Sequence, residues 1–237
     1  MDYLFFDIEC CDGNHICSFG YVIIDEKFRV LDKQDILINP EKTFKLGRAG
    51  FDPEIELAYK QEIFYSQKTF PEFYAGIKKL LNKKDRVLFG HNSGCDINFL
   101  LIACNRYDLK NINIKVYDTQ KIYKLYKKDK NVCSLHKILD ELKINVPKLE
   151  EHKSCDDAEM TMLIVKKMCQ EENLTINDFI NKYKIYVETT TGCINRKKAK
   201  MIRRERSKRY SLIKHNTQSN DDVKSAKRKV AIKSGGV

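Results

Sequence analysis

The sequence predicts an α/β domain with a mixed five-stranded central sheet, three strands antiparallel and the later ones parallel, covered by helices. Three observations carry this. Residues 1–40 hold three apolar runs separated by turn signals. From residue 70, runs of strand length alternate with stretches of helical spacing. The region before residue 188 ends in helical patterns alone.

Tyr3–Ile8 and Cys17–Ile24 are apolar runs, the second rich in aromatic and β-branched residues, and Gly13-Asn14 between them predicts a hairpin. A third strand is expected over Asp35–Asn39, closed by Pro40. After a long polar connection, Phe70, Phe73, Tyr74, Ile77, Leu80 and Leu81 recur at helical spacing. Arg86–Gly90 reads as a buried strand, Asp96–Cys104 as a helix and Asn113–Tyr117 as a strand. Helices follow over Thr119–Tyr126, Ser134–Leu142, Asp156–Met168 and Ile176–Tyr183. In the third of these, Ala158, Thr161, Met162, Val165, Met168 and Cys169 form one stripe.

The chain of 237 residues, 42% hydrophobic and 10% aromatic, suffices for one well-cored domain plus an extension. No stretch approaches the roughly 18 uninterrupted apolar residues of a membrane span. Met1–Phe6 runs into an acidic segment without the charged start and cleavage site of a signal peptide, so a cytoplasmic protein is expected. The nine cysteines are scattered and several lie inside apolar runs, as thiols of a reducing compartment do.

The net charge of +11 is unevenly held. Residues 1–188 carry 29 Lys+Arg against 30 Asp+Glu, and residues 189–237 carry 15 against 3. A near-neutral domain, 1–188, is therefore followed by a basic tail, 189–237, whose composition buries little core and predicts disorder or a loosely attached helix.

Three groups of polar residues require an explanation. Asp7 and Glu9 end the first strand on one face, about 7 Å apart along it, and such a pair repels unless cations hold it. Asp96 follows Gly90-His91-Asn92-Ser93-Gly94-Cys95 where a strand gives way to a helix. His152-Lys153-Ser154-Cys155-Asp156-Asp157-Ala158 opens a later helix. Taken singly, each has an ordinary reading as a solvated strand end or a helix cap. Cys10, Cys11, His15 and Cys17 match no familiar zinc spacing, and a hairpin accounts for them better.

Together, Asp-x-Glu on the first strand, an Asp after a His-Asn turn, and His-x4-Asp opening a late helix resemble the DEDDh 3′–5′ exonucleases, the group of the proofreading epsilon subunit of bacterial replicative DNA polymerase. The resemblance extends over residues 1–170. Ser18-Phe19-Gly20-Tyr21-Val22 looks like the family's second strand, Tyr117-Asp118-Thr119 like its strand-ending Asp-Thr, and Ser134-Leu135 with Leu139, Leu142 and Ile144 like the helix before its His.

The resemblance implies a ribonuclease H-like fold and hydrolysis of terminal phosphodiesters of single-stranded nucleic acid, DNA favoured over RNA, to nucleoside 5′-monophosphates. It implies Asp7, Glu9, Asp96 and Asp157 as ligands of two divalent cations, Mg²⁺ or Mn²⁺, with Asp7 bridging them and His152 as general base. Asp156 is then left to cap the helix and Asp118 to end a strand. Asn92 orients substrate or braces Glu9. Where the family has a small polar run after its first Glu, touching the 3′-terminal nucleotide, this chain has Cys10-Cys11-Asp12-Gly13, so Cys10 and Gly13 join Asn92 as candidate substrate contacts. Cys95 stands where an aromatic residue is frequent.

The tail clusters Arg196-Lys197-Lys198, Arg203-Arg204, Arg206, Lys208-Arg209 and Lys227-Arg228-Lys229 suit phosphate contact. The expected partners are 3′ ends of single-stranded DNA or RNA, and a DNA polymerase that would hold the tail, with no membrane. The competing readings are an exoribonuclease, a non-catalytic nucleic-acid-binding module, and a polymerase-associated proofreading module in replication or repair.

Overall fold

The computed structural model describes residues 1–46, 56–128 and 131–208. Six strands form one sheet: β1 (Asp2–Cys10), β2 (Ile16–Ile24), β3 (Val30–Leu37), β4 (Arg86–Gly90), β5 (Lys115–Asp118) and β6 (Val187–Thr189), in spatial order β3-β2-β1-β4-β5-β6. β1 is antiparallel to β2 and β2 to β3; β1, β4 and β5 run parallel; β6 returns antiparallel to β5. The helices are α1 (Gln61–Tyr65), α2 (Phe70–Leu81), α3 (Gly94–Arg106), α4 (Thr119–Tyr126), α5 (Leu135–Glu141), α6 (Ser154–Glu171), α7 (Ile176–Lys182) and α8 (190–208).

The alternation of side chains along β1 divides the core into two layers. Tyr3 and Phe5 face one side and pack with Met160, Ile164, Val165 and Met168 of α6 and Phe179 of α7. Leu4, Phe6 and Ile8 face the other, against Phe70, Ile77 and Leu81 of α2 and Ile97, Leu100 and Ala103 of α3. Helices thus cover both faces of the sheet.

Local chemistry explains the boundaries that the sequence marks well. Thr69 and Glu72 form a capping box at the start of α2, with Pro71 in its first turn. The Asp118 carboxylate accepts the Gln120 N–H at 3.1 Å and so begins α4, and Ser134 caps α5 by accepting from Lys137 N–H. In the hairpin turn, Asp12 Oδ1 accepts the Asn14 and His15 amides while Gly13 takes φ +75°, a conformation favouring glycine.

Three expectations change. The third strand is Val30–Leu37 rather than Asp35–Asn39: Asp32, Lys33 and Gln34 mask it because β3 is an edge strand with one open side. The sheet gains a sixth strand, because Val187–Thr189 is too short to show a period and carries the buried, Lys121-paired Glu188. The 188/189 division falls inside that strand. The first compact unit extends to Cys193, and a second begins at Ile194. Thr190 closes the first by accepting Ile114 N–H at 3.0 Å and donating to Ile112 O at 2.9 Å. Residues 190–208 are helical, and the tail residues 209–237 lie outside the described residues. Among the described residues, no helix is long and apolar enough to cross a membrane.

Candidate active site

Beyond Phe5, β1 outruns its pairing with β4, so the Ile8 amide has no strand partner on that side. Asp96 Oδ1 takes it at 3.2 Å. Asp96 lies in the first turn of α3, behind Ser93 at the N-cap, rather than capping the helix itself. This bond brings a buried carboxylate from α3 to the end of β1, where Asp7 and Glu9 emerge on the α6 side.

Gly20 brings α6 to the same place. It pairs with Asp7 across β1 and β2, and a Cβ there would lie 2.0 Å from Cys155 N and from Ser154 C. The first turn of α6 therefore rests on the sheet beside Asp7, and Asp157, in that same turn, reaches Glu9. The preceding His152 adopts φ +59°, a left-handed conformation uncommon for a residue with a side chain. The bend lets His152 N–H donate to Asp157 Oδ2 at 3.1 Å and sets Nδ1 3.5 Å from Glu9 Oε1. One ligand atom each from Glu9, His152 and Asp157 lies within 4.8 Å of the others.

The electrostatics are those of crowded acids. Burial pushes the Asp7 and Asp96 carboxyls well above the usual carboxylate range, and neighbouring carboxylates, Glu9 in both cases, add to it. Burial, then Glu9, pushes Asp157 up to about 7, against the opposing charge of His152. Contact with Glu9 raises the His152 pKa in spite of desolvation. Asp157 Oδ1 is buried without a hydrogen-bond partner. A set of hard oxygen donors, raised acid pKa values and an orphaned buried oxygen fits a divalent cation.

Asp7, Asp96, His152 and Asp157 line one cleft of about 340 Å³ together with Asn92. Of the expected substrate contacts, Cys10 and Gly13 fall elsewhere. The Cys10 thiol packs in the core with Ile8, Ile16 and Phe19, since the alternation that points Glu9 to one face points Cys10 to the other. Gly13 is in the exposed hairpin turn. Asn92 donates to Cys95 Sγ at 3.2 Å rather than bracing Glu9. Asp156 does not cap α6, which starts earlier, at Ser154; its carboxylate pairs with Lys33 and Lys153 and accepts Glu150 N–H at 3.1 Å. Cys11 and Cys17 pack with Phe44 and Phe64 while His15 pairs with Asp12, so these do not assemble with Cys10 as a zinc site.

Sequence reasoning missed several cleft residues. Phe99, one helical turn beyond Asp96, was accessible from spacing alone. His91 and Gln120 are tertiary neighbours: both bond to Cys133 O, at 3.2 and 3.0 Å, and burial brings the His91 pKa down to about 4.

The family model described as the DNA polymerase III subunit epsilon-like C-terminal domain, of DEDDh type, matches residues 17–168. The chain belongs to this DEDDh family. The match contains Asp96, His152 and Asp157, while Asp7 and Glu9 precede it. The family and its structural neighbours are 3′–5′ exonucleases, hydrolytic nucleases. No curated protein matches the sequence.

Among solved structures, this DEDDh chain is similar to a 3′-exonuclease in 3′-end-specific recognition of a histone mRNA stem-loop, at 19% identity and TM-score 0.58, over 72% of this chain and 64% of that one. It is similar to exonuclease X in complex with 5′-overhanging duplex DNA, at 14% identity and TM-score 0.54, over 73% and 94%. A third is S. pombe Pop2p in a form with Mg²⁺ and Mn²⁺ bound, at 15% identity and TM-score 0.51, over 71% and 82%. The likeness shows the fold, that of ribonuclease H-like exonucleases, with six strands where five were expected.

Proposed function

We propose that the protein is a metal-dependent 3′–5′ exonuclease that removes nucleoside 5′-monophosphates from single-stranded nucleic acid, DNA in preference to RNA. The observation that carries this reading is the convergence of Glu9, His152 and Asp157 within 4.8 Å at a cleft that Asp7 and Asp96 also line. Asp7, Glu9, Asp96 and Asp157 would hold two divalent cations, Mg²⁺ or Mn²⁺. Such ions lower the pKa of attacking water and stabilise the leaving oxygen.

The chain's own groups do the rest. His152, with Nδ1 3.5 Å from Glu9 Oε1 and Nε2 3.9 Å from Glu151 Oε1, would take the proton of the water through Nε2. Its N–H holds Asp157 in place, and the Ile8 amide does the same for Asp96. Phe99 offers the terminal base an apolar wall, and the Asn92 and Gln120 amides lie on the same cleft. The basic tail would add attraction to phosphates that a near-neutral domain lacks.

Purified protein is incubated with end-labelled single-stranded DNA and RNA in Mg²⁺, Mn²⁺ or chelator. The expected result is a mononucleotide product from the 3′ end, faster on DNA and absent in chelator. Faster cutting of RNA would make it an exoribonuclease, favoured by the likeness to the histone-mRNA 3′-exonuclease. Binding without cutting would make it a recognition module.

A further inference from the structure

We propose that Asp35 is a positioning residue for the metal-binding carboxylates: it clamps the first turn of α6 to the sheet through Ser154 and so sets where Asp157 and His152 stand. The proposal rests on the nuclease reading above.

Asp7, Gly20 and Asp35 lie in one row across the first three strands, Asp7 opposite Gly20 and Gly20 opposite Asp35. Residues paired in this way project from the same face, so two carboxylates flank a glycine, about 10 Å apart at ordinary strand spacing. The gap over the glycine holds the backbone of Ser154 and Cys155. α6 enters the site between the two acids.

The Ser154 hydroxyl donates to Asp35 Oδ1 at 2.7 Å, and the Ser18 hydroxyl donates to the same oxygen at 2.5 Å. The two hydroxyls also lie against each other. Both serines are buried, and with one hydroxyl proton each they share two protons among these three contacts. Ser18 in turn is the strand partner of Glu9. One carboxylate oxygen thereby ties β3, the β2 residue opposite Glu9, and the first residue of α6.

The clamp matters because α6 has no side-chain cap at Lys153, while Asp157 shares the first turn with Ser154. Without Asp35, the two buried hydroxyls keep only each other, β3 no longer holds Ser154, and the helix start is held by less. A displacement of about 1 Å in a metal-holding carboxylate costs about 10²-fold in rate. Asp35 does not line the cleft; its contact with α6 runs through Ser154.

Asp35→Ala, Asp35→Asn and Ser154→Ala are compared with wild type in the full chain. In Asp35→Ala the Mn²⁺ dissociation constant, read from free Mn²⁺ by electron paramagnetic resonance, is expected to rise about 10- to 100-fold, the range for lost support of a metal ligand. The fall in kcat should exceed the change in KM. Asp35→Asn keeps the Oδ1 acceptor and should recover most of both losses, which a packing role for the charge would not allow. Ser154→Ala removes one hydroxyl and reads the same contact if Asp35→Ala does not fold. Wild-type Mn²⁺ affinity in folded Asp35→Ala, or in Ser154→Ala where that is needed, overturns the proposal, as does equal loss in Asp35→Asn. The Mn²⁺ titration uses no nucleic acid, so wild-type protein that binds Mn²⁺ but cuts nothing overturns the nuclease reading alone.

Discussion

Gly20 stands opposite Asp7, and the start of α6 occupies the space that a side chain at Gly20 would need: a Cβ there would lie 2.0 Å from Cys155 N. The contact is backbone against backbone, so neither side can rotate away. Gly20→Ala should push α6 off the sheet, destabilising the fold by about 1–3 kcal/mol, the usual cost of overpacking. Because Asp157 moves with the helix, single-turnover cleavage should slow by about 10²-fold. Thermal unfolding and cleavage rates measure the two effects, and unaltered cleavage would mean that α6 does not fix the site.

The role of His152 can be separated from that of its backbone. Its N–H holds Asp157, and this bond survives replacement of the side chain. His152→Ala should therefore fold and bind Mn²⁺ while turnover falls by about 10²- to 10⁴-fold, the contribution of a general base. Asp7→Ala should abolish metal-dependent cleavage. Near-normal turnover in His152→Ala, with its melting temperature unchanged, would remove the imidazole from the mechanism.

Asp157 couples the proposed metal site to proton binding and to stability. Its pKa is raised to about 7, first by burial and then by Glu9. Between the ordinary carboxylate value of about 4 and that raised value, the folded chain holds a proton that the unfolded chain has released. Without metal, this group's stabilising contribution is full below that window and is lost as pH rises through about 7. The buried His91, lowered to about 4, acts in the opposite sense, losing stability as pH falls. The stability difference between wild type and Asp157→Asn in chelator isolates the Asp157 term, and it should move against wild type as pH rises from about 4 to about 8. Mn²⁺ should raise the melting temperature most at the upper end and release protons, detectable by calorimetry in buffers of different ionisation heat. A pH-independent difference would contradict the proton assignment.

What was legible in the sequence follows a physical division. Phe70–Leu81, Arg86–Gly90 and Thr119–Tyr126 were readable to the residue because an apolar pattern and local caps agree there. Asp7, Glu9, Asp96, His152 and Asp157 were legible as types in order, and the structure brings them to the end of β1. β3 was only partly legible because an edge strand needs no apolar alternation, and β6 not at all because three residues show no period. Cys10 is expected at the substrate because the family's run after its first Glu touches the nucleotide, but pleating sends the neighbour of Glu9 to the opposite face, into the core. Asp35, Ser18 and Ser154 lie far apart in sequence, and only the register of three strands places them together.

The basic charge lies outside the unit that holds the site. Arg196, Lys197, Lys198, Lys200, Arg203, Arg204, Arg206 and Lys208 are all exposed on the helix over 190–208, with Glu205 the acidic residue among them. Each phosphate that such a surface neutralises releases counterions, so affinity for single strands falls with salt at a logarithmic slope of about 0.7 per contact. Deleting residues from 196 onward should weaken binding at low salt and flatten that slope, while the carboxylates and His152 continue to cut at saturating substrate. Binding is read by fluorescence anisotropy in chelator, which stops cleavage, and kcat separately in Mn²⁺. A partner retained by the tail after nucleic acid is digested would instead assign the charge to protein docking. In that case the salt slope of the truncated chain would equal that of the whole, and its loss of function would appear only in the presence of the partner.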